Sequence, residues 1–155
     1  MSSESVMNRR RVVVGALGMT AAAALGTIFA RPASATPEAA KQLLQTLAKG
    51  EPREGRVTVK APEIAENGNA VPVTVSVDSP MTEKDHVKAV HIVADGNPNP
   101  GVASFNFSPA SGKCEIQLRV RMAQTQKVVV VAEMSDGTLY SAAREVKVTI
   151  GGCGG

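Results

Sequence analysis

From Arg56 onward, apolar residues recur at every second position, and this period constrains the fold more than any other feature of the chain. Val57/Val59/Ala61, Val71/Val73/Val75/Val77, Cys114/Ile116/Leu118/Val120/Met122 and Val146/Val148/Ile150 alternate mainly with Thr, Lys, Ser, Gln, Arg and Glu. A period of two belongs to strands that bury one face and wet the other. Between them lie Val87 to Ala94, Val102 to Phe107 and the more continuous Val128 to Met134, which read as central or two-sided strands, and a short one over Leu139 to Ala142. Turn chemistry separates the runs at Asn67-Gly68, Asp95-Gly96-Asn97-Pro98, Ser111-Gly112 and Asp136-Gly137, the last a two-residue hairpin signal. Seven or eight short strands with no helix between them predict a mainly β chain: an antiparallel immunoglobulin-like β-sandwich over residues 51–150. The chain has no tryptophan and no cysteine pair at immunoglobulin spacing, so the expectation is one of architecture alone.

One short helix is expected ahead of the sandwich, within residues 36–50. Thr36 reads as an N-cap, Pro37 as the first helical residue and Glu38 as a first-turn acid, with Ala40, Leu43, Leu44, Leu47 and Ala48 at helical spacing and Gly50 to close. At 155 residues, one domain is the prior.

Residues 1–35 look like an address rather than part of that domain. Arg9 and Arg10, followed by Arg11 and an uncharged Ala/Gly/Leu-rich run from Val12 to Ala30, have the pattern of a twin-arginine export signal. Ala33 and Ala35 supply the small-x-small site for signal peptidase, so cleavage is expected after Ala35. A membrane-anchoring helix is the alternative, since about twenty apolar residues span a bilayer, but small Ala and Gly dominate the run. The expectation is a periplasmic chain, exported already folded and free of the membrane after cleavage. The leader holds Arg9, Arg10, Arg11, Arg31 and Glu4 of the 17 basic and 14 acidic residues, which leaves 13 of each. A neutral mature chain gives no reason to expect nucleic acid or an anionic surface as partner. Export of folded protein also suits a complex whose other subunit has no leader.

Few residues offer chemistry. His86 and His91, five apart, fall on opposite faces of one strand, make no joint metal site and read as surface or loop histidines. Met81, Met122 and Met134 are scattered as core filler is. Cys114 is in phase with Ile116, Leu118 and Val120 and should face the core. No catalytic residue, metal ligand set or cofactor motif is assigned.

Cys153 stands apart. It sits in Gly151-Gly152-Cys153-Gly154-Gly155, where no other residue has a side chain to pack, and residues 151–155 read as a flexible swinging arm. Extended, the arm carries the sulfur roughly 10 Å from the end of the last strand. No base or cation adjoins it in sequence, and an unassisted thiol ionises near about pH 8.5. Such a sulfur is accessible without being self-activated, which suits cargo worked on by other enzymes. A Cys114–Cys153 disulfide, natural in an oxidising compartment, is the structural alternative.

The leader, the short helix, the all-β domain and the terminal pentapeptide together resemble SoxY, the carrier subunit of the periplasmic thiosulfate-oxidising Sox system. The resemblance implies that Cys153 bears sulfur covalently as an S-thiosulfonate and later as sulfane sulfur, and that the chain is a carrier and no enzyme. It also implies partners: a SoxZ-like β-sandwich subunit as heterodimer mate, a haem-containing thiosulfate-conjugating enzyme, a dimanganese sulfate-releasing hydrolase and a sulfur dehydrogenase. Three rival readings remain. A ubiquitin-like thiocarboxylate carrier would use Gly154-Gly155 but needs ATP. A thiol oxidoreductase would want a second cysteine beside Cys153. An adhesion or binding sandwich leaves the tail unexplained.

Overall fold

The computed structural model describes residues 36–152. The expected leader, with Arg9, Arg10, Ala33 and Ala35, and the terminal Cys153, Gly154 and Gly155 lie outside the described residues.

The helix forms where its capping residues place it. Thr36 is extended and its Oγ1 accepts the Ala39 N–H at 3.3 Å, Pro37 takes the first helical position, and α1 runs Pro37–Leu47. Gly50, at φ +138°, then supplies a backbone angle that L side chains rarely adopt, and the chain turns into the sheets.

Nine strands follow: β1 Arg53–Glu54, β2 Val57–Lys60, β3 Ile64–Asn67, β4 Val71–Val77, β5 Val87–Ala94, β6 Gly101–Asn106, β7 Cys114–Val120, β8 Gln126–Met134 and β9 Leu139–Ile150. Among the described residues they make two sheets. One has the order β1-β9-β8-β5-β6 with β3 added along β9, and the other the order β2-β4-β7. The period-two residues meet between them: Val71, Val73, Val75, Val77, Ile116 and Val120 of the small sheet share a buried core with Val90, Ile92, Ala94, Val128, Val130, Ala132 and Val146 of the large one. Central β5 is buried on both faces, hence its unbroken apolar run. Its second face lies on the side of α1, where Leu44 and Ala48 pack with Val131 and Leu139. No helix among the described residues is long and apolar enough to cross a membrane.

Three local expectations change. Leu139–Ala142 and Val146–Ile150 are one twelve-residue strand, not two. That strand overruns β8, whose ladder ends at Gln126↔Val146, and its two stretches are completed by β1 and β3, both running parallel to it. The Asp136-Gly137 hairpin has a three-residue loop closed by Met134 and Thr138, with Gly137 at φ +82°. His91, taken for a surface residue, is only 8% exposed, and its Nδ1 lies 2.8 Å from Ser104 Oγ on β6.

Candidate functional site

The overrun of β9 brings the C-terminus to one end of the sandwich, where β3, the β7–β8 connection and the tail converge. β9 is held there on two sides: Val148 N–H donates to Thr125 Oγ1 at 3.0 Å, and Ile150 stands opposite Asn67 of β3. Asn67 Oδ1 accepts the Asn69 N–H at 2.9 Å and starts the tight turn Gly68–Ala70. From that turn Gly68 C=O accepts the Met122 N–H at 2.7 Å, while Met122 C=O accepts the Gly152 N–H at 2.8 Å. Both backbone groups of Met122 are thus engaged, and its fully buried side chain anchors the segment in the core.

A buried amide cluster fixes the residues on either side of Met122. Asn97 Nδ2 donates to Arg121 C=O at 2.8 Å, and Asn97 Oδ1 accepts both Ala123 N–H at 3.0 Å and Gln126 Nε2 at 2.8 Å. Gln126 Oε1 accepts the Gly96 N–H at 2.8 Å, and Gln124 Nε2 donates to Gly96 C=O. Asn97 and Gln126 are 4% and 5% exposed, and no buried side-chain polar atom among the described residues lacks a partner. A satisfied network of this kind rigidifies what it holds.

Gly151 and Gly152 do not stand clear of this end. A Cβ on Gly151 would collide with Ala123 C=O, and one on Gly152 would lie 3.0 Å from Arg121 Cγ, 3.0 Å from Gly68 C=O and 3.1 Å from Asn69 Oδ1. A Cβ on Gly68 would strike Met122 C=O. The sequence reading leaves every residue beyond Ile150 free; here residues 151 and 152, with no side chains to pack, pack by backbone. Gly152 is buried. Arg121, whose Cγ lies against Gly152, also lines a depression of about 320 Å³ with Arg119, Asn97, Asn99, Gly101 and Val102.

Cys114 is 3% exposed, and burial pushes its thiol up to about 11 despite a backbone hydrogen bond with Val77. It begins β7 opposite Val77, whereas Val120 and Val71 mark the other end of the same ladder. At about 3.3 Å per residue, the six steps of β7 put Cys114 roughly 20 Å from the end that receives Gly152. Covalent geometry keeps the Cα of Cys153 within about 3.8 Å of its neighbour's, and a disulfide needs Cα atoms within about 7 Å. The Cys114–Cys153 bridge does not fit this fold.

The structure brings none of the other candidates to this end. Nδ1 of His86 lies 3.0 Å from Thr82 C=O, and His91 is buried in the large sheet. Met81 and Met134 pack in the core. No group of three or more His, Cys, Asp or Glu among the described residues could hold a metal ion. Sequence reasoning missed Asn97 and Gln126 because Asn97 stands in a turn-forming run and Gln126 at a strand start; polar residues at such positions normally face water.

The family model described as "Sulfur oxidation protein SoxY" matches residues 41–153, so the matched stretch ends on Cys153. No curated protein matches the chain. Among solved structures it is similar to the sulfur carrier protein SoxY from Chlorobium limicola f thiosulfatophilum, at 42% identity and TM-score 0.60, over 71% of this chain and 96% of that one. It is also similar to the superoxide reductase (neelaredoxin) E23A from Ignicoccus hospitalis, at 19% identity and TM-score 0.50 over 73% and 92% of the two chains. The hypothetical protein PH1083 from Pyrococcus horikoshii OT3 matches at 15% identity and TM-score 0.52 over 62% and 96%. The last two likenesses show the fold alone.

Proposed function

The chain belongs to the SoxY family of sulfur oxidation proteins, a family of sulfur carriers, and on that premise we propose that Cys153 is the atom that carries the sulfur. The carrying observation is positional. The last described residue, Gly152, is seated at the end of the sandwich, and Cys153 follows it directly in the chain. The second thiol is buried at the other end, with ionisation pushed far above neutral pH, and is no competitor for cargo.

Loading joins the Cys153 sulfur to the terminal sulfur of thiosulfate. The thiol loses its proton, two electrons leave to a haem-containing partner, and a Cys–S–S–SO₃⁻ adduct forms. Water then attacks the outer sulfur at a dimanganese hydrolase, sulfate departs, and a persulfide remains. Oxidation of that sulfane sulfur with three waters removes six electrons and gives Cys–S–SO₃⁻, whose hydrolysis releases a second sulfate and returns the thiol. Each adduct is anionic, and Arg121, whose Cγ lies against Gly152, has the complementary charge. In this reading the bond-making groups belong to the partners and the chain is no enzyme; a SoxZ-like sandwich is its heterodimer mate, and twin-arginine export delivers the folded pair to the periplasm.

The test is the mass of the tryptic peptide Val148 to Gly155, from protein of thiosulfate-grown cells, with and without reductant. A peptide heavier by sulfur atoms or a thiosulfonate group, and restored by reductant, supports carriage at Cys153. An unmodified peptide throughout growth on thiosulfate would falsify it.

A further inference from the structure

We propose that Gly151–Gly152 is a seat rather than a joint, and that the buried Asn97 and Gln126 are positioning residues that set the point from which the carrier cysteine leaves the sandwich. The inference rests on the reading of Cys153 as the carrier. Glycine serves a chain in two ways, by conformational freedom or by letting backbones approach where a Cβ would intrude. The two uses leave different traces, because free glycines have open space around them, as Gly55 does, while close-approach glycines have backbone atoms inside Cβ distance. Gly151, Gly152 and Gly68 all show the second trace, and all three surround Met122 and Ala123. The Gly152 N–H is bonded to a carbonyl whose own residue is fixed from the other side by Gly68.

The seat is in turn built by the amide cluster. Asn97 grips Arg121 C=O and Ala123 N–H, the two backbone groups that flank Met122, and Gln126 holds Asn97 Oδ1 from inside. A side chain that bonds both neighbours of the accepting residue determines where that acceptor points. The point from which the carrier cysteine departs is therefore fixed at Gly152. Cys153 stays within about 3.8 Å, Cα to Cα, of the seat, instead of sweeping the roughly 10 Å that a pivot at Ile150 would allow. An enzyme that works on the cargo must come to this end of the sandwich, against Arg121, Asn69 and the Gly68 turn, and take in Cys153 to Gly155 alone.

Backbone ¹⁵N relaxation and amide exchange on the full chain, compared with Gly151→Ala, Gly154→Ala and Asn97→Ala, provide the test. In the unaltered protein Gly151 and Gly152 should show order parameters of the sheet, about 0.85, with Gly154 and Gly155 below about 0.6. The Gly152 amide should exchange as slowly as β8 amides. Gly151→Ala and Asn97→Ala should drop Gly152 to tail-like mobility while β7 and β8 amides keep their values, and Gly154→Ala should leave Gly152 unchanged. Equal, low order in all four glycines of the unaltered protein overturns the proposal. Retention of Gly152 order in Asn97→Ala overturns the positioning role, and should that variant not fold, Gly151→Ala decides, because it alters only the seated end. These measurements need no cargo, so they stand or fall apart from the peptide mass that tests carriage. Given carriage, loading at Cys153 should fall several-fold in Gly151→Ala.

Discussion

Burial decides the chemistry of Cys114. Cys114 is sealed at the start of β7, and the cost of placing a thiolate there raises its ionisation to about 11, from 9.0. The thiol form is favoured in the fold, so the native state holds its proton where the unfolded chain loses it. Stability from this source is full below pH 9, is lost as pH rises from 9 to about 11, and is gone above. Urea midpoints across that window should fall less steeply in Cys114→Ala than in the unaltered protein; parallel curves would dismiss the assignment. In the same native protein, alkylation at pH 8 should mark Cys153 and spare Cys114 until the chain is unfolded, as read by peptide mass.

At the scale of elements, β5 shows why an apolar run can contain a histidine. The residues Ala89, His91 and Val93 share the face turned away from the sandwich core, and His91 stands opposite Val131, which packs under Leu44 and Ala48. Burial lowers the ionisation of His91, partly opposed by Glu133, and Ser104 Oγ engages Nδ1. The sign follows from linkage: the unfolded chain takes up the proton first, so this face loses stability as pH falls below about 6.5. His91→Leu should flatten the loss of stability between pH 7 and 5 measured by urea unfolding. An unchanged slope would show that another group governs the acid limb.

Across the whole molecule, Cys114 stands at one end of the β4–β7 ladder, and the seat of Gly152 lies beyond the other end, where Met122 follows Val120. That separation of roughly 20 Å does not suit an internal Cys114–Cys153 staple. Aerated protein should form a reductant-sensitive dimer through Cys153, seen by non-reducing gel electrophoresis, and Cys153→Ser should remain monomeric while Cys114→Ala still dimerises. A persistent covalent dimer in Cys153→Ser would place the exposed thiol elsewhere. The same topology puts Arg121 and Gly152 at one end, where β9 overruns β8 and is paired by β3.

Alternation and capping determined much of this by themselves. Val71 to Val77, Cys114 to Val120 and the Thr36-Pro37 start are local patterns whose physical meaning does not depend on distant residues, so strands, helix and core faces were legible before any coordinates. The terminal pentapeptide is likewise a local pattern, and the proposal for Cys153 starts from it. Only tertiary structure decided what Gly151 and Gly152 do, since their contacts are with Gly68, Arg121 and Ala123, and a glycine has no side chain to declare its use in advance. Only tertiary structure joined Asn97 to Gln126, 29 residues away, or buried His91 under a second layer. A pattern read along the chain reports which face of an element is apolar; which backbone lies against which is settled when the elements pack.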